Sequence, residues 1–457
     1  MRLIFVHGWS VTHTETYGKL PQALAAAASG ANLTLDIQHI YLGRYISFHD
    51  EVTVDDIARA LNKALIDLPG NNADLITPFS CITHSTGGPV VRHWVEKYYG
   101  AERLGELPLT NLVMLAPANH GSALAKLGKS RVGRMKSWFA GVEPGQRVLD
   151  WLALGSDGQW SLNQQYTAYT LGDHSFFPFV LTGQKIDEQF YDFINSYLVE
   201  KGSDGVVRVA GANLNHRYFT LKQGRDAVDD AENPYPLQAH DEVRSSPKTA
   251  LGVYGNHSHT GEDIGIMQSI KANDTNAPVV QDILKCLSVK NNDDYQTRVS
   301  ELARLTKMEQ SGGDVYCALV FNVRDDEGEQ VAKDNYDLLI LVGDDYEPSA
   351  LPKGFFQDRQ MNDKTGRLVY YLNASKMNEI GKFGFRVNAR PSEGFASYKD
   401  TEFHSGDISI QDILAPNETT YVDIELHRFV DENVFRFGPV KDDPESFRKT
   451  KPSGNTI

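Results

Sequence analysis

The stretch Ile82-Thr83-His84-Ser85-Thr86-Gly87-Gly88 decides the reading of this chain. It follows an apolar run over residues 78–82, in which Phe79, Cys81 and Ile82 suit a short buried strand. From Pro89 onward Val90, Val91, Trp94, Val95 and Tyr98 recur on one face at helical spacing, and Pro89 fits a first helical turn. A serine set between strand and helix among small residues is the arrangement of a nucleophile elbow. The sharp turn lifts the hydroxyl out of the sheet and leaves the next backbone N–H, that of Thr86, to stabilise an oxyanion. The first expectation is a serine hydrolase.

A chain of 457 residues exceeds one ordinary domain. With 41% hydrophobic and 23% charged residues its composition is that of a globular protein. The net charge of −15 argues against nucleic acid as a partner and against general affinity for anionic lipid. It leaves room for transient contact between a local apolar surface and a membrane or neutral lipid. Cys81, Cys286 and Cys317 are scattered and odd in number, with neither metal spacing nor a disulfide framework, and read as small buried apolar residues. The apolar run at residues 3–6 is shorter than a signal core, and no run approaches the ~20 apolar residues of a membrane span. The expectation is synthesis in the cytoplasm, any export taking a route without a cleaved signal.

Working outward from the elbow, strand-like and helix-like segments alternate. Residues 3–6 and 33–41 read as strands, and Ile57, Leu61, Ala64, Leu65 and Leu68 line one helix face behind a Thr53/Asp56 capping box. Residues 111–116 and 176–181 read as further strands. This rhythm predicts a mostly parallel sheet with helices on both faces over residues 1–290. Residues 122–175, with Trp138, Phe139, Trp151, Trp160 and Tyr166, interrupt it and read as a lid-like insertion at the carboxyl ends of the strands. A polar helical segment follows Asn291. Strand-like runs at 315–322, 336–342, 366–372, 384–387 and 420–426 then predict an all-β, sandwich-like domain over 315–440, with a flexible tail at 441–457. The linker near Asn291 predicts two separately folding units.

A serine nucleophile needs a base, and the base an acid to fix its tautomer. In elbow-bearing folds the chain order is serine, acid, histidine. After Ser85, Asp204 stands in a Gly-flanked turn before the strand-like run 206–210, and it is the favoured acid over Asp173 and Asp187. A plain Asp-Gly turn is the bland alternative. The base is expected after the apolar run 251–254, in Gly255-Asn256-His257-Ser258-His259, ahead of a helix suggested by Ile264, Ile266, Met267 and Ile270. His259 is favoured and His257 is the alternative base. No carboxylate or cysteine cluster turns this His-Ser-His into a metal site, and the chemistry needs no cofactor. His7-Gly8-Trp9 after the first strand offers the Trp9 amide as a second oxyanion donor beside that of Thr86. His84 and His120 read as structural or pocket-lining.

His7-Gly8-Trp9, Thr83-His84-Ser85-Thr86-Gly87, the run from Ala116 to Ser122, Ser203-Asp204-Gly205 and His257-Ser258-His259 together resemble the α/β-hydrolase superfamily, in particular its bacterial lipases and phospholipases. The resemblance implies Ser85, Asp204 and His259 as nucleophile, acid and base, with a lipid or other acyl ester as substrate. Thr83 departs from the motif, standing where G-x-S-x-G has its first glycine. An acyltransferase or thioesterase would use the same triad, and a non-catalytic relative would carry its function, with an unknown protein partner, in the β domain.

Overall fold

A computed structural model describes residues 1–7, 16–47, 49–127, 145–186, 201–224, 234–331, 335–391, 395–406 and 410–430. Its strands in chain order are β1 (Arg2–His7), β2 (Asp36–Tyr41), β3 (Phe79–His84), β4 (Leu109–Leu115), β5 (Phe177–Gly183), β6 (His216–Gln223), β7 (Tyr235–Ala239), β8 (Arg244–Ser245), β9 (Ala250–Tyr254), β10 (Tyr316–Asp325), β11 (Tyr336–Val342), β12 (Phe356–Met361), β13 (Leu368–Asn373), β14 (Phe383–Ala389), β15 (Ala396–Ser397), β16 (Thr401–His404), β17 (Thr419–Leu426) and β18 (Phe429–Val430). The helices used below are α1 (Leu20–Ala27), α2 (Val54–Ile66), α3 (Gly87–Tyr98), α4 (Gln146–Leu152), α5 (Asp157–Tyr166), α6 (Val209–Ala212), α7 (Pro278–Leu287) and α8 (Asn292–Glu309).

The first sheet runs β2-β1-β3-β4-β5-β9, with every pairing parallel. Its central strands are buried on both sides, as a sheet covered on both faces requires. Helix α2 opens on the expected capping box: the Thr53 hydroxyl accepts from the Asp56 amide, and the Asp56 carboxylate accepts from the Thr53 amide. Helix α2 packs beside α3 and α1 beside α7. Their apolar faces join the strands in one core containing Phe5, Ile82, Trp94, Leu112, Phe179 and Ile283.

The second sheet is mixed, in the order β11-β14-β16-β7-β6-β17-β10-β13-β12, with β8 on β6. It curls over its own apolar face. Phe321 of β10 meets Phe385 of β14 edge-on at 4.8 Å, and the Tyr370 hydroxyl of β13 donates to the Leu338 carbonyl of β11 at 2.6 Å. The α/β sheet followed by a sandwich-like β domain is thus the architecture of the chain.

Strands β6, β7 and β8 come from within residues 1–290, between Asp204 and His259. β6 pairs in parallel with β17 from Thr419↔His216 to Glu425↔Lys222, and β7 pairs with β16. The chain leaves the first sheet after β5, lends strands to the second, and returns as β9. Two local expectations are corrected. The run at 206–210 ends in the short helix α6 rather than a strand, and residues 264–270 form turns, the next helix being α7. Gly265 lies so close to Gly261 that an added Cβ would stand 2.4 Å from the Gly261 carbonyl oxygen, a packing only tight turns give.

Of the insertion at 122–175, helices α4 and α5 wedge between the sheets. Trp160 packs on Tyr218, Val320, Val369 and Tyr421, and Arg367 reaches the Gly155 carbonyl and the Asp157 carboxylate. Residues 128–144, with Trp138 and Phe139, lie outside the described residues, as does the tail at 441–457.

Candidate active site

Ser85 follows β3 directly and has φ +52°, in the left-handed region that costs a side-chain-bearing residue about 1–3 kcal/mol. The elbow holds this strain by close packing. The Ser85 amide donates to the Leu115 carbonyl at 2.9 Å, tying the turn to β4. A Cβ on Gly88 would stand 2.8 Å from Pro117, so the first turn of α3 can lie against the loop after β4 only without a side chain. The serine remains 7% exposed.

Asp204, His259 and Ser85 meet at the carboxyl edge of the first sheet. His259 Nδ1 lies 2.8 Å from Asp204 Oδ2, and His259 Nε2 lies 2.9 Å from Ser85 Oγ. The other carboxylate oxygen, Asp204 Oδ1, accepts from the amides of Val206 at 2.9 Å and Val207 at 2.7 Å. The His259 amide donates to the Asp204 carbonyl at 3.0 Å. A carboxylate only accepts, so Nδ1 carries the imidazole proton and Nε2 is left to accept from the serine hydroxyl. Asp204 and His259 are each 1% exposed, which shields the relay from competing water.

The other candidate residues fall elsewhere. His257 has its carbonyl fixed by the Lys185 amide at 3.0 Å and its ring against Tyr254, and burial pushes its imidazole below the usual range. Gly183 admits that carbonyl because a Cβ there would stand 2.0 Å from it. Thr86 is the residue before α3, where helix amides lack carbonyl partners one turn back. Trp9 and Asp187 lie outside the described residues, as does the Asp173 side chain.

His84 Nε2–H donates to the His259 carbonyl at 3.1 Å. Burial first, and then the neighbouring His259, hold its imidazole well below the usual range, so no second cation stands beside the relay. His7, at the end of β1, has Nε2 2.8 Å from His39 Nδ1, and burial pushes it down to about 3. His120 Nε2–H donates to the Asn213 carbonyl at 2.7 Å, leaving Nδ1 to accept from the Tyr421 hydroxyl at 2.7 Å. Ser122 was not among the expected site residues. Its hydroxyl donates to the Val206 carbonyl at 2.6 Å, bracing the turn whose amides hold Asp204. Its only signal in the sequence is its place closing the run from Ala116.

Such an arrangement can pass a proton from a serine hydroxyl to a histidine whose charge a buried carboxylate then balances. Among the described residues no group of three His, Cys, Asp or Glu side chains is placed to hold a metal ion, and no helix is long and apolar enough to cross a membrane.

No protein-family model and no curated protein matches the sequence. Solved structures do, among them two of phospholipase PlaB. Phospholipase PlaB from Legionella pneumophila in complex with thio-NAD is 41% identical, with a TM-score of 0.86 over 100% of both chains. A second structure of phospholipase PlaB from Legionella pneumophila is 42% identical, with a TM-score of 0.87 over 100% of this chain and 98% of that one. With likeness of sequence and fold running through both sheets, this chain belongs to the PlaB phospholipase family.

Proposed function

We propose that the chain is a serine hydrolase of lipid esters, acting on phospholipids through an acyl-enzyme on Ser85. The observation that carries this reading is the unbroken relay from Asp204 Oδ2 through His259 to Ser85 Oγ, at 2.8 and 2.9 Å, on a serine with φ +52°. Membership of a phospholipase family supports the lipid ester over a small soluble one.

In this mechanism Ser85 Oγ attacks the ester carbonyl while its proton passes to His259 Nε2. The resulting imidazolium is balanced by Asp204, whose second oxygen is already held by the Val206 and Val207 amides. The oxyanion of the tetrahedral intermediate takes the Thr86 amide and, as the sequence His7-Gly8-Trp9 suggests, that of Trp9. One such donor contributes ~10²–10³ in rate. His259 then protonates the leaving alkoxide, and water activated by the same imidazole releases the acyl group as a carboxylic acid. A neutral His84 keeps the imidazolium free of like-charge repulsion.

The test is hydrolysis of matched p-nitrophenyl esters of short and long acyl chains, and of a phospholipid, by wild type and Ser85→Ala. Serine-dependent turnover that rises with chain length and extends to the phospholipid is the expected result. Activity confined to short esters would leave a general esterase. Absence of turnover on all of them would favour transfer to an acceptor other than water.

A further inference from the structure

The turn that carries Asp204 rests on the β domain as much as on the first sheet. The Tyr371 hydroxyl of β13 donates to the Lys201 carbonyl at 2.8 Å. The Arg208 guanidinium lies 4.2 Å over the Tyr371 ring and pairs with Asp358 of β12. Gly202, with φ +71°, lies so close that a Cβ there would stand 2.5 Å from the Tyr316 ring and 2.8 Å from the Tyr371 hydroxyl. On the far side of the turn Thr419 Oγ1 of β17 donates to the Ala210 carbonyl at 2.9 Å, and Asn213 Nδ2 donates to the Asn417 carbonyl at 2.7 Å.

Between those anchors the backbone closes on itself. Ser203 pairs with Arg208 in an isolated antiparallel bridge, and the Val209 amide donates to the Gly202 carbonyl at 2.9 Å. The two amides that hold Asp204 Oδ1 belong to Val206 and Val207, immediately before Arg208. Fixing Lys201 at one end and Arg208 at the other therefore fixes the carboxylate between them.

We infer that Tyr371 and Arg208 are positioning residues for ester hydrolysis, the β domain setting through them the orientation of the Asp204 carboxylate toward His259. The inference rests on the hydrolase reading above. Neither side chain touches the reacting atoms. Tyr371 grips the turn through its hydroxyl and through its stacked ring, so two substitutions separate the grips. Tyr371→Phe removes the hydroxyl that bonds the Lys201 and Gly202 carbonyls and keeps the ring, and Tyr371→Ala removes the ring beneath Arg208 as well.

The experiment is steady-state hydrolysis of an activated p-nitrophenyl ester by full-length Tyr371→Phe and Tyr371→Ala, each in the wild-type and the Asp204→Asn background. With the acid present, Tyr371→Ala lowers kcat by roughly 10–10²-fold, the scale of a displacement near 1 Å, and leaves KM within about two-fold. Tyr371→Phe loses a smaller part. With Asp204→Asn, which alone costs up to ~10⁴, the same Tyr371 substitutions change kcat by less than about two-fold, because the group they position is gone. Equal losses in both backgrounds, or full activity of both Tyr371 variants, would overturn the inference. If Tyr371→Ala does not fold, Tyr371→Phe carries the same comparison. A wild type inactive on every ester is a separate result that overturns the hydrolase reading itself.

Discussion

Thr83 and Gly87 face each other across the elbow: a Cβ at Gly87 would stand 3.3 Å from the Cβ of Thr83. The β-branched residue occupies the first glycine position of the motif because the second glycine leaves it room. Gly87→Ala is expected to lower stability by about 1–3 kcal/mol, the usual cost of overpacking, since Thr83 is buried on β3 and cannot retreat. Strain placed beside Ser85 also lowers kcat/KM, by roughly ten-fold for a shift of a few tenths of an ångström. Thr83→Gly in the same chain removes the opposing Cβ and should restore activity; thermal melts and ester kinetics on the single and double variants test this.

Ser85→Ala is expected to abolish ester hydrolysis, a loss on the order of 10⁴–10⁶-fold, with the fold intact. The alanine keeps the left-handed backbone and removes only a hydroxyl, so the melting temperature should move by no more than a few degrees. Covalent labelling by a fluorophosphonate should vanish with it. Retained turnover would remove Ser85 from the nucleophile's role.

His259→Ala and His257→Ala should differ sharply. The first removes the bonds to both Asp204 and Ser85 and should match Ser85→Ala within about ten-fold, because the relay acts as a unit. The second removes a ring packed on Tyr254, leaves its backbone bond to Lys185 in place, and should retain most of the activity. A dead His257→Ala beside an active His259→Ala would reverse the assignment.

The parts of the fold legible in the sequence are those whose cause is local. The apolar run before Ser85, the Thr53/Asp56 box and the helical face of Val90, Trp94 and Val95 each carry their own pattern and stand as read. The order serine, aspartate, histidine likewise led to three side chains that meet. Strands β6 and β7 left little trace. Their partners β17 and β16 lie far along the chain, Thr419 opposite His216 and Thr401 opposite Tyr235, and β7, at Tyr235–Ala239, alternates poorly and contains Pro236. The grip of Tyr371 on Lys201 is invisible for the same reason: no local pattern marks a hydroxyl that bonds a carbonyl from another domain.

The origin of β6 bears on truncation. Ending the chain near Asn291 removes β17 and β16, leaving β6 and β7 without partners on those edges and exposing Phe219, Leu221 and Leu237 from the second core. Unpaired strand edges with apolar side chains associate with one another. The truncated chain is expected to be insoluble or inactive, against the separate folding that the linker alone suggests. A soluble, monomeric 1–291 fragment with wild-type kcat would count against both this expectation and the role given to Tyr371.

Stability should fall on mild acidification, well before carboxylates titrate. Burial pushes His7 to about 3 and His216 to about 4, and it holds His84 and His120 well below their usual range. The unfolded chain binds protons on these groups from about pH 6.5 downward, whereas the folded one does not until far lower. The unfolded state therefore holds more protons throughout that window, and stability rises with pH there. Each such histidine contributes a slope of about 1.4 kcal/mol per pH unit between its unfolded and folded values, present in full above pH 6.5 and lost as pH falls. Urea unfolding at pH 7.5, 6.5 and 5.5 should give a nearly flat upper interval and a steep lower one. Replacing the buried His7 with Gln should remove about one proton's share of that slope, provided the His39 contact is met by the amide. A stability that stays level down to pH 5.5 would mean that these imidazoles are charged in the folded protein, contrary to their burial.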